Sequence, residues 1–273
     1  MKKPIIFIII AVLLICALAI ALFFMLANRP EGEAPADPPA PQDAAEPAPE
    51  EPEPAPLPEP EPEEPSQEEV SPEQPEAFVQ LLAEGGYAPE DLSGEQLIIV
   101  KSSGNNALVF TYEKGEDGVW SPLVENLAGH TGRNGVRGEE KREGDLCTPA
   151  GLFPLVGAFG VEPDPGCHMY YRQATADSYW VDDPDSIYYN RWREGTENKD
   201  WNSAEHLVDY PQQYAYAVII GYNMAPMIPG KGCAIFFHCG TGPTAGCVSV
   251  PRADLLSILL WLEEEKSPEI VIF

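Results

Sequence analysis

Two side chains that together support thiol chemistry, those of His238 and Cys247, lie nine positions apart near the C-terminal end of the sequence. The residues between them are rich in Gly and Thr, which is typical of a loop. A catalytic thiol needs a nearby base and a turn that exposes its sulfur. His238 is the candidate base, and the backbone amides of Ala245 and Gly246 are candidates for binding an oxyanion. Because no Asp lies near His238 in the sequence, we expect a backbone carbonyl to orient its ring.

Two other interpretations fit the same residues. A buried Cys after Gly is often a small core residue. Cys233, His238, Cys239 and Cys247 also carry groups that bind metals, but their spacing matches no usual zinc pattern. His238 and Cys239 are neighbours in a predicted strand, so their side chains should lie on opposite faces. From these residues alone, a nucleophile with its base, a structural role and a metal site all remain open.

The cysteines differ in their predicted reactivity. Five lie C-terminal to the long apolar segment of the chain, at Cys147, Cys167, Cys233, Cys239 and Cys247. Since five is odd, intramolecular pairing leaves at least one free thiol. We predict that Cys247 is the reactive one and that His238 lowers its pKa. We expect burial in an apolar strand to raise the pKa of Cys233. The pairing of the other four cysteines remains open.

Three ordered blocks of sequence carry a resemblance to a known family. They are Thr244-Ala-Gly-Cys247-Val with His238 upstream, Lys141-Arg-Glu-Gly-Asp145 continuing to Thr148-Pro-Ala-Gly151-Leu-Phe-Pro154, and Tyr179-Trp-Val-Asp-Asp183 through Tyr189-Asn-Arg-Trp192. They resemble the L,D-transpeptidase catalytic domain (YkuD-like), a family of exported cysteine enzymes that cross-link peptidoglycan stem peptides. The resemblance covers most of residues 95–273. It implies a mainly β catalytic domain, Cys247 as nucleophile, His238 as base, a thioacyl-enzyme, and neither metal nor cofactor.

The active-site block departs from the common family pattern, which is Ser/Thr-His-Gly-Cys followed shortly by Arg. Here Ala245 replaces that His, and Ser249 stands near the position of the Arg. The segment between His238 and Cys247 is also shorter than is usual in the family. Recognition of the substrate carboxylate therefore falls to other residues, and the candidate replacements are Lys141, Arg142, Arg172, Arg191 and Arg252.

Further candidates for substrate binding lie in the matched blocks. They are Lys141, Arg142, Trp180, Tyr189, Asn190, Arg191 and Thr244. Residues 170–192 are rich in Tyr and Trp, which predicts either core packing or an aromatic wall over a peptide groove.

Short strands and few helices must position these residues. The apolar, β-branched patterns predict strands at 96–100, 107–112, 215–222, 233–238 and 270–273. Amphipathic patterns predict helices at 76–84 and 253–264. Without a βαβ rhythm, the fold class is mainly β. With the resemblance, this becomes an L,D-transpeptidase-like β-sandwich or barrel with a few short helices.

The N-terminal part of the chain has a different composition. Residues 5–27 are apolar and uncharged, which predicts a transmembrane helix, and Lys2 and Lys3 predict that residues 1–4 stay in the cytoplasm. A cleaved signal peptide is the alternative, although its small-x-small sites lie inside the apolar run. A lipoprotein at Cys16 fits poorly, because Ile15 precedes it. The alternation of Pro and Glu in residues 28–76 predicts a disordered, extended linker.

These observations together predict the domain order and the function. A helical lead-in at 77–94 precedes the catalytic domain at 95–273. The net charge of −28 excludes nucleic-acid binding and electrostatic docking on anionic membranes. We predict a single-pass membrane protein whose extracytoplasmic domain is a cell-wall L,D-transpeptidase acting on peptidoglycan stem peptides. An L,D-carboxypeptidase, another exported cysteine peptidase and a non-catalytic wall-binding module are the alternatives.

Overall fold

The computed structural model describes residues 72–273. Its strands are β1 (Gln96–Ser103), β2 (Asn106–Lys114), β3 (Trp120–His130), β4 (Val136–Arg137), β5 (Thr148–Pro149), β6 (Gly151–Gly160), β7 (Tyr171–Gln173), β8 (Ser178–Val181), β9 (Arg191–Glu194), β10 (Ala204–His206), β11 (Ala217–Ile220), β12 (Phe236–Cys239), β13 (Val248–Val250) and β14 (Glu269–Ile272). Its α-helices are α1 (Glu76–Glu84) and α2 (Arg252–Trp261).

The predicted transmembrane helix at 5–27 and residues 28–71 of the predicted linker lie outside the described residues. Within residues 72–273, neither helix has the length and apolar character needed to cross a bilayer. The membrane topology therefore stays a prediction from the sequence.

Eight strands close into a barrel. In the order β11, β12, β13, β3, β2, β1, β14 and β6, each strand pairs with the next. The long strand β6 pairs with β14 through its first half and with β11 through its second half, and this closes the ring. The interior holds aliphatic side chains such as Ile98 and Val218, and α2 adds Leu255 and Leu259 to the same core. The predicted mainly β fold with few helices is confirmed.

The helix α1 packs on the outside of the barrel, over β1 and β2. It has the predicted bounds, and it buries Phe78 and Leu82 against side chains of these strands and against Trp120 at the start of β3. Just before it, the side chain of Gln74 accepts a hydrogen bond from the Trp120 amide and donates one to the Gly118 carbonyl. The sequence assigned residues 72–76 to the disordered linker. Gln74 instead has defined partners, because its side-chain amide forms hydrogen bonds with backbone groups at the end of the β2–β3 turn.

Apart from α1, the predicted elements differ from the structure by up to three residues at an end, and two of these differences have a clear backbone cause. The strand predicted at 233–238 begins at Phe236, because Gly232 and Ala234 both have positive φ angles, of 111° and 51°, which interrupt the extended backbone before it. The helix predicted at 253–264 ends at Trp261, since Leu262 already has an extended backbone.

A small sheet covers one outer side of the barrel. Its strand order is β10-β8-β9. Between this sheet and strands β6, β11 and β12 lies a second core, which includes Phe159, Trp180, Tyr189 and Phe236. Cys247 belongs to this second core, so the candidate nucleophile lies between the barrel wall and the small sheet.

Candidate active site

The parallel pair β12–β13 places His238 and Cys247 on one face. His238 lies opposite Ser249 in the register of the two strands. Cys247 immediately precedes β13, and its Sγ accepts a hydrogen bond of 3.3 Å from the Phe236 amide. Because side chains alternate along a strand, His238 shares the face of Phe236, while Cys239 points into the barrel core. The predicted opposite orientation of His238 and Cys239 is confirmed.

His238 and Cys247 line the same cavity, whose volume is about 580 Å³. Its other lining residues are Arg133, Lys141, Glu143, Gly144, Leu146, Asp182, Glu205, Tyr210, Gln213, Tyr214, Cys233, Ala234, Ile235 and the loop residues 240–246. The loop that the sequence predicts between the two residues therefore forms part of the cavity wall.

The imidazole of His238 is prepared to act as a base. Its Nδ1 lies 2.9 Å from the carbonyl oxygen of Cys239, so the ring proton is on Nδ1 and Nε2 is left as an acceptor. The expected backbone carbonyl is thus the group that orients the ring. Burial lowers the pKa of His238, which keeps the ring neutral near pH 7. The edge of the ring packs on Tyr214, with centroids 5.5 Å apart.

The thiol of Cys247 differs from the sequence prediction. Burial, together with the nearby charge of Glu205, raises its pKa to about 12. Its Sγ donates to the carbonyl oxygen of Ala234 at 3.3 Å, and its two hydrogen-bonding partners are backbone groups rather than His238. The prediction that His238 lowers the pKa of Cys247 is therefore wrong. Burial between the barrel wall and the small sheet favours the neutral thiol over the thiolate.

The other cysteines show no disulfide pairing. All five cysteines of the described region carry free thiols. Burial raises the pKa of Cys233, as the sequence predicts, and Cys233 also lines the cavity. Residues 72–273 contain no group of three or more His, Cys, Asp or Glu side chains arranged to hold a metal ion.

Two threonine hydroxyls hold the backbone of the nucleophile. Thr148 Oγ1 and Thr244 Oγ1 both donate to the carbonyl oxygen of Cys247, at 3.0 and 2.6 Å. Thr148 also accepts a hydrogen bond of 2.8 Å from the Gly132 amide. A Cβ atom on Gly132 would lie 2.3 Å from the carbonyl oxygen of Leu146, so this position has no room for a side chain. Thr148 lies in a matched sequence block, but its contact with Cys247 becomes visible only in the fold.

The candidate oxyanion donors are not equivalent. The amide of Gly246 donates to Thr244 Oγ1 at 3.1 Å. Because this proton already has an acceptor, the amides of Ala245 and Cys247 are the remaining candidate donors of this turn. Ala245 is exposed, so the residue that replaces the family His lies at the rim of the cavity.

The position of the missing Arg has a structural explanation. Ser249 Oγ donates to the carbonyl oxygen of Gly242 at 3.0 Å. A Cβ atom on Gly240 would lie 2.9 Å from the Cβ atom of Ser249. The short loop therefore folds directly over Ser249 and fills the space that a longer side chain needs.

The predicted substrate residues fall into three groups. Lys141 and Thr244 line the cavity, but Lys141 Nζ pairs with Asp145 Oδ1 at 2.9 Å. Trp180, Tyr189 and Asn190 are buried beneath it. Asn190 Oδ1 accepts from Trp180 Nε1 and from the Ala234 amide, at 3.0 and 3.1 Å, which holds the segment before β12.

The third group contains the exposed arginines. Arg142 and Arg191 are exposed and do not line the cavity. Arg172 and Arg252 form ion pairs with Glu194 and Glu162, also away from the cavity lining. Asp182, Glu205 and Tyr214 line the cavity but were not singled out from the sequence.

A thiol and a neutral imidazole in one cavity are the groups that cysteine-dependent enzymes use. The chain belongs to the YkuD family, because the model of this family, the L,D-transpeptidase catalytic domain, matches residues 95–272. The match runs from the first strand of the barrel to the last, and it confirms the resemblance seen in the sequence. No curated protein and no solved structure matches the chain significantly.

Proposed function

We propose that this protein is a cell-wall L,D-transpeptidase that forms a thioacyl-enzyme on Cys247 with peptidoglycan stem peptides and transfers the acyl group to an amine. The observation that carries the proposal is that Cys247 and His238 line one cavity of a domain that belongs to the L,D-transpeptidase family.

Acylation begins from a neutral thiol and a neutral imidazole. When the substrate enters, His238 Nε2 takes the proton of Cys247, and the thiolate attacks the amide carbonyl that precedes the terminal D-residue. The C–S bond forms, the C–N bond breaks, and His238 returns the proton to the leaving amine. The amides of Ala245 and Cys247 stabilise the oxyanion of the tetrahedral intermediate.

The thioester then has two possible acceptors. Attack by an amine of a neighbouring stem gives a cross-link, and attack by water gives carboxypeptidase activity. Both reactions release the Cys247 thiol, so the same two side chains serve either outcome. Cross-linking is the proposed main reaction, and hydrolysis is the second candidate.

The proposed location follows from the sequence alone. A transmembrane helix at 5–27 with a cytoplasmic N-terminus anchors the chain, and the Pro/Glu-rich linker carries the catalytic domain to the wall.

Mass spectrometry after incubation with a stem tetrapeptide tests the proposal. We expect an acyl adduct on Cys247 that the variant Cys247→Ala does not form. Cys233→Ala is the matched control, because this second thiol of the cavity should be dispensable. An adduct that yields only free acid indicates a carboxypeptidase. A folded protein that forms no adduct contradicts the proposal and favours a wall-binding module.

A further inference from the structure

Three carboxylates line the cavity that contains Cys247, and we call Glu143, Asp182 and Glu205 the acidic wall. Glu205 lies on β10, and Asp182 directly follows the neighbouring strand β8 of the small sheet. Glu143 comes from the loop between β4 and β5. The wall is thus assembled from three separate segments beside the nucleophile.

The protein does not balance the charges of the acidic wall. Glu205 and Glu143 each accept a hydrogen bond of 2.6 Å from a neutral hydroxyl, of Tyr214 and Tyr189 respectively. Asp182 Oδ1 is fully buried and accepts no hydrogen bond from any residue that the structure describes. Among residues 72–273, no Lys or Arg side chain forms an ion pair with any of the three carboxylates.

This arrangement has an electrostatic cost, which the pKa values of the carboxyl groups reflect. Burial, together with the charges of Asp182 and Glu143, raises the pKa of Glu205 to about 7. Burial also raises the pKa of Asp182, with a contribution from Glu143. A buried charge that lacks a partner is destabilising, and a cation that enters the cavity removes this penalty.

We propose that the acidic wall binds the ammonium group of the acceptor and so directs the thioacyl-enzyme toward aminolysis rather than hydrolysis, an inference that rests on the proposed function. The bound ammonium group gives one proton to a carboxylate of the wall. The free amine attacks the thioester carbonyl, a C–N bond forms and the C–S bond breaks. The second amine proton passes through His238 to the sulfur of Cys247.

The other charges of the cavity agree with this assignment. Lys141 is already neutralised by Asp145, and Arg133 is exposed. Ser249 stands near the position at which the common family motif has Arg, so the loop adds no cation that would repel an ammonium group. The three carboxylates of the wall therefore outnumber Arg133, the one Lys or Arg of the described cavity lining that forms no ion pair.

The test measures how the full-length thioacyl-enzyme partitions between aminolysis by an amine and hydrolysis by water. Two acceptors are compared near neutral pH: a stem peptide with a side-chain ammonium group, and hydroxylamine, which is uncharged there. We expect Asp182→Asn and Glu205→Gln each to lower the amide-to-acid product ratio about tenfold for the charged acceptor. The ratio for hydroxylamine should not change. Glu197→Gln removes the same charge from an exposed position outside the cavity and is the matched control.

An unchanged ratio in both variants overturns the proposal. An equal fall for both acceptors also overturns it, because it indicates damage to the site rather than loss of charge recognition. A second measurement does not depend on acylation. In the wild type, 1,5-diaminopentane should shift the amide NMR signals of β8 and β10, and these shifts should be lost in the two variants. If the wild type forms no acyl adduct, the proposed function fails, while this titration still decides whether the wall binds an ammonium group.

Discussion

The two faces of the β12–β13 pair carry different chemistry. One face lies in the aliphatic barrel core, where Cys239 Sγ donates to the carbonyl oxygen of Tyr216. The other face lies under the small sheet and carries His238 and Cys247 beside a polar cavity. Cys239 is the sequence neighbour of His238, yet it has no access to this cavity. The strand face, and not the distance along the chain, therefore decides which thiol is available for chemistry.

The largest expected effect is on acylation, and it distinguishes the Cys247 thiol from the Cys239 thiol. We expect Cys247→Ala to abolish acylation by stem peptide, with a loss of roughly 10³-fold or more, because no other thiol shares its position. The variant should keep its fold, since it replaces one small buried side chain with another. Cys239→Ala on the barrel face should acylate at close to the wild-type rate. Loss of acylation in Cys239→Ala alone would reverse the assignment of the nucleophile.

The next effect concerns the base on the same face. We expect His238→Ala to lower the acylation rate about 10²–10⁴-fold near neutral pH. Because the pKa of Cys247 is raised to about 12, the residual rate should grow steadily with pH as the thiolate fraction increases. In the wild type, the rate should fall in acid only below the usual His pKa of 6.5, since burial lowers the pKa of His238. Stopped-flow acylation across the pH range measures both profiles. A uniform loss at every pH would indicate that His238 only holds the loop.

A smaller effect tests the hydroxyls that hold the nucleophile from behind. Thr148→Val keeps the shape of the side chain but removes its hydrogen bonds to Cys247 and Gly132. We expect a loss of about 1–3 kcal/mol in unfolding free energy. We also expect a kcat for acylation about tenfold lower with little change in KM, because the turn loses its orientation. Thr148→Ser keeps the hydroxyl and should restore kcat. Failure of this rescue would argue that the methyl group is what matters.

The smallest effect comes from an arginine that the sequence suggested for substrate binding. Arg191 is exposed on β9 and does not line the cavity. We expect Arg191→Ala to leave both kcat and KM within about twofold of wild type, because distant surface charges are screened. A large rise in KM would show that the stem peptide extends across the small sheet.

The sequence predicted the parts of the molecule that depend on local pattern. The helix α1 has the predicted bounds because its apolar residues repeat on one face between clear end signals. The strand β3 went unrecognised, since most of its side chains are exposed and its alternation is weak. Closure of the barrel through the two partners of β6 is a long-range property that no local pattern contains.

The candidate site divides in the same way. His238 and Cys247 were found because their block is compact and resembles a family motif. The raised pKa of Cys247 was not predicted, because the burial of this thiol depends on a sheet that residues distant in the sequence contribute. Glu205 lies far from the motif in the sequence, and a single Glu in a short strand gives no local sign of a cavity position.

The neutral thiol of Cys247 has a consequence for the lifetime of the enzyme. Peroxides and other oxidants attack the thiolate form of cysteine and spare the protonated form. Because burial raises its pKa to about 12, Cys247 is almost entirely protonated at pH 7. At the proposed location outside the membrane, where cellular reductants are not at hand, this resting form protects the nucleophile from oxidative inactivation. Under the proposed mechanism, the sulfur becomes open to oxidation only in the short interval in which His238 has taken its proton.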